Sequence, residues 1–251
     1  VVVIGGGIAG CSTAYHLAKN GWDTVLIERD ILTSGTTWHA AGMITQLGTT
    51  PQITKIRKYS IKFYNELKKI TGQDTSFKQT GTINIATSKS RMQEYLRQKS
   101  MSKIFDFNID LIDNKKFKKL YPIAKNKDVI GGLYIPEDGQ ADPQILTQTI
   151  AYAAKKAGVK IFEKCKLKKI LKRENQIRGL KTNQGKIDCE YIVLCTGMWS
   201  RQIGEAAGVS IPLYPNEHFY MITEDYKNLP SVLPTFRDPD TYLYIREYHK
   251  K

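Results

Sequence analysis

Three glycines, Gly5, Gly7 and Gly10, stand at G-x-G-x-x-G spacing between an apolar run, Val1 to Ile4, and a helical pattern. In that setting the first glycine permits a tight turn, the second lets backbone approach a pyrophosphate, and the third lets helix and strand pack closely. The N-terminus of the helix that follows faces the phosphates, with Ile8 in the loop also a cofactor-binding residue. Glu28, followed by Arg29, closes a second apolar run 18 residues beyond Gly10, where a carboxylate can accept ribose hydroxyls. The spacing predicts a dinucleotide site. A second centre is the stretch LTSGTTWHAAGM, Leu32 to Met43, in which one imidazole, His39, sits among Gly35, Thr36, Thr37 and Gly42. Imidazole is a competent nucleophile near neutral pH, whereas an ordinary loop histidine is simply hydrogen-bonded. His16, inside the first helical pattern, reads as structural.

YIVLCTG, Tyr191 to Gly197, is an apolar strand ending in a small residue and glycine, and it resembles the second signature of FAD-binding oxidoreductases. LTSGTTWHAAGM resembles the dimethylglycine and sarcosine dehydrogenase branch of the D-amino-acid-oxidase-like flavoproteins. That resemblance implies a bond from a ring nitrogen of His39 to the flavin 8α-methyl carbon, with Gly35, Thr36, Thr37 and Gly42 close to the isoalloxazine and Trp38, Ala40, Ala41 and Met43 also cofactor-binding. It extends over GGLYIPEDGQADP, Gly131 to Pro143, and over the segment Gly197 to Glu224, which would lay Trp199 against the cofactor. Leu167 falls where the family contacts adenine through backbone. His218 and Tyr244 match substrate-side positions, with Tyr242 as the rival to Tyr244. A neutral imidazole and a phenol can hold or deprotonate an amine, because only an unprotonated nitrogen can expel a hydride.

The implied activity is FAD-dependent oxidative N-demethylation of a small N-methyl amino acid, dimethylglycine or sarcosine, by hydride transfer to flavin N5. The resulting iminium hydrolyses to formaldehyde. The family also implies an electron-transfer flavoprotein or other electron acceptor, and a tetrahydrofolate-binding region beyond residue 251. Alternatives are another amino-acid oxidase of the same flavoprotein class that uses O₂, and a non-catalytic regulatory homologue expected to lack the flavin-linking histidine.

These residues need a frame. Val1 to Ile4, a helix through Ala14, Leu17 and Ala18 that stops at Asn20-Gly21, and a strand from Thr24 to Ile27 form a parallel crossover. Ile56, Tyr59, Phe63, Leu67 and Ile70 recur at helical spacing and predict an amphipathic helix. A hairpin-like region around Thr82 to Ala86 and a Lys-rich helix from Ser90 to Ile104 follow. Asp142-Pro143 starts another helix, Asp as N-cap and Pro at the first helical position, and strand-like segments run Val159 to Cys165 and Tyr191 to Cys195. The predicted fold is α/β: a doubly wound, discontinuous FAD-binding Rossmann-type domain, residues 1–80 and 143–212, with an inserted α+β substrate domain of mixed sheet, residues 81–142 and 213–251. By the resemblance a final strand and glycine-rich segment should follow Lys251, which itself falls in mid-sheet.

Composition narrows the partners. The chain has 251 residues, 38 basic against 24 acidic, and a formal charge of +14. Arg supplies only nine of the basic residues; a scattered Lys excess reads as solvated surface rather than a nucleic-acid groove. The basic run Lys155 to Arg173 interleaves with Val159, Ile161, Phe162, Leu167 and Ile170 and lacks base-stacking aromatics, so no nucleic-acid partner is expected. No apolar run approaches the roughly 18 residues of a membrane-spanning helix. Cys11, Cys165, Cys189 and Cys195 show no metal-ligand spacing and read as buried thiols of a reducing compartment. The expected location is the bacterial cytoplasm, or the mitochondrial matrix in a eukaryote.

Overall fold

A computed structural model of the chain describes residues 1–125 and 127–249. In chain order the elements are β1 (Val2–Ile4), α1 (Ile8–Lys19), β2 (Val25–Ile27), β3 (Met43–Ile44), α2 (Pro51–Thr71), β4 (Thr82–Ala86), α3 (Lys89–Phe105), β5 (Asp110–Asp113) and α4 (Asn114–Leu120). They continue with β6 (Gly131–Ile135), β7 (Gly139–Gln140), α5 (Pro143–Lys156), β8 (Lys160–Phe162), β9 (Leu167–Arg173), β10 (Gln176–Thr182) and β11 (Gly185–Asp188). The last are β12 (Ile192–Leu194), α6 (Ser200–Ala206), β13 (Thr235–Asp238) and β14 (Leu243–Ile245). Short 3-10 turns lie at Thr37–His39 and Gly197–Trp199. The chain divides into two compact units, residues 1–40, 66–75 and 142–218, and residues 41–65, 76–141 and 219–251.

The first unit holds a parallel sheet in the order β12-β1-β2-β8. β1 is buried along its whole length, as expected of a continuous apolar strand with neighbours on both sides. α1 buries Gly10, Cys11, Ala14 and Tyr15, packs against α5, and ends at Asn20 before Gly21, whose φ is +84°. α5 begins as Asp142-Pro143 predicts: the Asp142 carboxylate accepts the N–H groups of Gln144 at 2.8 Å and Ile145 at 3.0 Å. The run Lys155 to Arg173 ends α5, forms β8 and becomes β9, the edge of an antiparallel meander β11-β10-β9. Val2, Ile4 and Ile27 of the parallel sheet form one core cluster with Cys165 and Leu180, and Leu167 packs against it, while Lys168, Lys169, Lys172 and Arg173 are exposed.

The second unit is built on a mixed five-stranded sheet in the order β14-β13-β4-β6-β5. β4 is not half of a local hairpin. It pairs antiparallel with β6, far along the chain, and parallel with β13. Phe117 and Tyr121 pack against Phe236 of β13 over one part of this sheet, and Tyr95 and Phe107 against Leu133 of β6 over another. α2 departs from its predicted face. Ile56 and Tyr59 are exposed at 61% and 52%, because the buried positions follow two lines, Thr54 with Ile61 seven residues on, and Phe63, Leu67 and Thr71 four apart. Residues 41–65 cluster here rather than with the first 40, since Met43 and Ile44 pair with Gln140 and Gly139. β14 forms an edge of the sheet; the expectation of chain continuing past Lys251 in mid-sheet concerns a residue outside those described.

Candidate dinucleotide-binding site

The glycine loop joins β1 to α1. Gly5 has φ +114°, and a Cβ there would lie 2.3 Å from the Cys195 carbonyl oxygen; a Cβ on Gly10 would lie 1.8 Å from the carbonyl oxygen of Gly5. Only glycine fits at either position. α1 starts from Gly7, which has no side chain to cap it, and no acidic residue occupies its first turn. The positive end of the helix is therefore left for an anion. Its first N–H, on Ile8, is held by the Thr37 hydroxyl at 3.2 Å.

Glu28 stands at the end of β2 with both oxygens directed. Oε2 accepts the Gly6 N–H at 2.6 Å and Oε1 accepts the Asp30 N–H at 3.0 Å. A carboxylate has about four lone-pair sites, so each oxygen keeps capacity for a ribose hydroxyl. Gly6, between the predicted glycines, is thus a site residue that motif spacing alone did not single out. Arg29 lies over the Trp199 ring, 4.0 Å from guanidinium carbon to centroid, and the same ring is in van der Waals range of Gly35. A Cβ on Gly197 would lie 3.7 Å from Thr36 Oγ1, which brings the second glycine segment beside the threonines.

Thr37, Trp38 and His39 form a single turn that packs on α5. Thr37 is buried; Trp38, His39 and Ala40 are exposed, with the Trp38 and His39 ring centroids 3.5 Å apart. The His39 backbone N–H bonds the Thr36 carbonyl at 3.3 Å, and its ring nitrogens make no hydrogen bond among the described residues. The imidazole is accessible. By contrast His16 is tied back to its own helix, with Nδ1 2.7 Å from the Ser12 carbonyl oxygen. Burial pushes the Cys11 thiol up to about 12, which keeps it an inert packing group beside the loop. Cys195, also raised by burial, is half-buried, as is Cys189, so two of the four thiols are less enclosed than their surroundings in sequence suggest.

Ala41, Gly42, Met43 and Tyr244 belong to the second unit. The Ala141 N–H donates to the Gly42 carbonyl at 2.9 Å, and Met43 pairs with Gln140. Tyr244 sits in β14 opposite Arg237 and is 41% exposed. Tyr242 does not alternate with it in a strand: it occupies the preceding turn at φ +59°, 91% exposed. His218 lies in an exposed stretch without regular secondary structure. Leu167 starts β9 and packs into the core of the first unit.

The residues present fit FAD: a glycine cradle that any Cβ would fill, an anion-ready helix start, and a carboxylate aimed from the end of β2. A parallel strand-helix-strand crossover with that loop defines a Rossmann-type dinucleotide-binding protein. More closely, the chain belongs to the DAO family, FAD dependent oxidoreductase, whose family model matches residues 1–251. It is 36% identical over 246 residues to 4-methylaminobutanoate oxidase (formaldehyde-forming) of Paenarthrobacter nicotinovorans, covering 98% of this chain and 30% of the relative. It is 36% identical to human mitochondrial sarcosine dehydrogenase, covering 98% of this chain and 28% of the relative. It is also 35% identical to the mitochondrial pyruvate dehydrogenase phosphatase regulatory subunit of Mus musculus, covering 99% and 29%. Among solved structures, L-proline dehydrogenase from P. horikoshii superposes with a TM-score of 0.88 at 27% identity, covering 99% of this chain and 67% of that one. The chain spans about 30% of the length of the curated relatives it matches. Among the described residues no helix is long and apolar enough to cross a membrane, and no cluster of His, Cys, Asp and Glu is arranged to hold a metal.

Proposed function

We propose that this chain carries the FAD site and part of the substrate side of an enzyme that oxidatively removes an N-methyl group from a small amino acid, dimethylglycine or sarcosine, with the flavin bonded to His39. The observation that carries the reading is the Thr37–His39 turn. Thr37 ties it to the start of α1, where a pyrophosphate binds, and His39 presents an accessible imidazole with unengaged nitrogens. The names of two relatives, sarcosine dehydrogenase and a formaldehyde-forming methylaminobutanoate oxidase, denote substrates with an N-methyl amine, which supports the substrate class.

Bound FAD supplies the two-electron acceptor for oxidation of the methyl carbon. The chain's own residues bind and orient. The Gly5–Gly10 loop and α1 hold the pyrophosphate, Glu28 the ribose, Leu167 the adenine side, and Trp199 packs near the cofactor. His218 and Tyr244 hold the substrate amine in its neutral form, since a protonated nitrogen has no lone pair to assist loss of hydride. Residues 1–80 and 143–212 serve the flavin and residues 81–142 and 213–251 the substrate. Electrons leave to an electron-transfer flavoprotein or another acceptor, and a region beyond residue 251 passes the released carbon to tetrahydrofolate. The mitochondrial matrix, or the cytoplasm of a bacterium, suits such an enzyme.

The test is acid precipitation of the full-length protein. A yellow pellet in the native protein and a colourless one in His39→Ala supports the tether, and formaldehyde release compared between dimethylglycine and sarcosine identifies the substrate. A colourless native pellet removes the covalent assignment. A protein that neither binds flavin nor turns over either amine favours a regulatory role like that of the mouse phosphatase subunit.

A further inference from the structure

We propose that Asp138 is the positioning residue of the Gly42–Gln46 segment: its buried carboxyl clamps the chain that leaves the flavin-facing motif while it holds a proton, and releases it when it ionises. The functional meaning of this clamp rests on the flavin reading above; the clamp itself rests on the geometry of the second unit.

The turn Ile135–Ala141 is wedged between two stretches of chain. On one side β7 pairs with β3, the Ala141 N–H donates to the Gly42 carbonyl at 2.9 Å, and the Gln46 N–H donates to Asp138 Oδ1 at 2.8 Å. On the other, Gln140 and Lys78 exchange backbone bonds at 2.8 and 3.0 Å, and the Gly81 N–H donates to the Asp138 carbonyl at 2.8 Å. Gly139 between them leaves no space: a Cβ there would lie 2.1 Å from the Lys78 carbonyl oxygen. Asp138 is 0% exposed at the centre of this arrangement.

Its second oxygen, Oδ2, is buried with no hydrogen-bond partner among the described residues, and so is Gln140 Oε1 two residues on. A bare anionic oxygen in that place carries a large desolvation cost, whereas a protonated one is a donor in a neighbourhood that contains an unsatisfied acceptor. The surrounding charges do not offset an anion. Glu137, whose carboxylate is held by Asn108 and Gln46, adds a like charge, and Glu247 reaches Gln140 at 3.4 Å. Arg57, whose Nη1 bonds Thr45 Oγ1 at 3.2 Å and the Leu47 carbonyl at 2.6 Å, favours the anion, but by less than Glu137 opposes it. The Thr82 hydroxyl favours the ionised form but is shared with Thr235 Oγ1 at 2.7 Å. Burial accordingly pushes the Asp138 carboxyl up to about 7.

The consequence follows from linkage. The clamped state keeps its proton up to about pH 7, while an opened, hydrated carboxyl loses it near 3.8. Between those values the opening equilibrium rises about tenfold per pH unit.

The experiment is hydrogen exchange at the Met43–Leu47 amides of the full-length protein between pH 5 and 8, corrected for intrinsic exchange. The native protein is expected to open about tenfold more per pH unit up to the carboxyl's pKa and to level off above it. Asp138→Asn keeps an acceptor for the Gln46 N–H and cannot ionise, so its opening should be flat with pH. An equal pH dependence in both proteins, or none in the native one, overturns the proposal. Should Asp138→Asn fail to fold, carbon-13 titration of the native Asp138 carboxyl decides: a midpoint near 7 supports the clamp and a midpoint near 4 refutes it. Neither readout requires turnover or a covalent flavin, so failure of the demethylase reading and failure of the clamp are separately visible.

Discussion

The hydroxyl of Thr37 accepts the backbone N–H of Ile8 at 3.2 Å, joining the His39 turn to the first turn of α1 across 29 positions of sequence. One side chain therefore links the glycine loop and helix start, proposed above to hold the pyrophosphate, to the turn that carries His39. Thr37→Val keeps the shape and removes the acceptor. It should weaken FAD binding by roughly twofold to tenfold, the net worth of one hydrogen bond at about 0.5–1.5 kcal/mol. Thr37→Ser should bind nearly as the native protein does. Titration of flavin-free protein with FAD, followed by flavin fluorescence, makes the comparison; equal affinity for Val and Ser would show that the bond plays no part in binding.

Two glycines of the predicted site should respond very differently to a methyl group. At Gly10 the new carbon meets the Gly5 carbonyl oxygen, a backbone atom that no side-chain rotation can move, at 1.8 Å, so α1 and the loop after β1 must separate. At Gly35 the nearest atom is on the Trp199 ring at 3.5 Å, an ordinary contact. Gly10→Ala is expected to abolish FAD retention and lower the melting temperature, and Gly35→Ala to leave both close to native. Gel filtration with absorbance at the flavin band, alongside thermal melts, reads both effects.

The parts of this site that were legible in sequence are those specified by short spacing. The glycine loop and the Asp142-Pro143 helix start each depend on residues within a few positions of one another, where backbone geometry restricts the residue type, and Glu28 is found from its fixed place at the end of the second strand of the crossover. Long-range pairing left no such trace. The Thr82–Ala86 strand resembles half of a hairpin because its alternation is local, yet its partners are β6 and β13. Tyr242 and Tyr244 alternate in sequence, but Tyr242 at φ +59° belongs to a turn. Asp138 sits in a Pro-Glu-Asp-Gly stretch that reads as exposed turn chemistry; only the flanking chain on both sides buries it.

The capping of α5 can be measured directly. Asp142 accepts two N–H groups at the helix start through a single oxygen, and the helix carries the buried residues Leu146, Ile150 and Ala153. Asp142→Ala should cost about 1 kcal/mol of stability, whereas Asp142→Asn should cost only a fraction of that. Urea unfolding monitored by circular dichroism separates the two; an Ala variant as stable as native would mean that water replaces the cap without loss.

The buried carboxyl of Asp138 makes a distinct prediction for global stability, and its sign is the reverse of the usual carboxylate case. Burial, chiefly, raises its pKa in the folded protein to about 7, while the unfolded chain titrates at the ordinary value of 3.8. Between those values the folded state holds a proton that the unfolded state has lost, so this group's contribution falls as pH rises from about 4 to about 7 and is constant above. Asp138→Asn lacks that proton equilibrium. The melting temperature of the Asn variant relative to the native protein should therefore climb across that interval and then level off. A difference that stays constant from pH 4 to pH 8 would mean that Asp138 ionises as readily in the folded protein as in the unfolded chain.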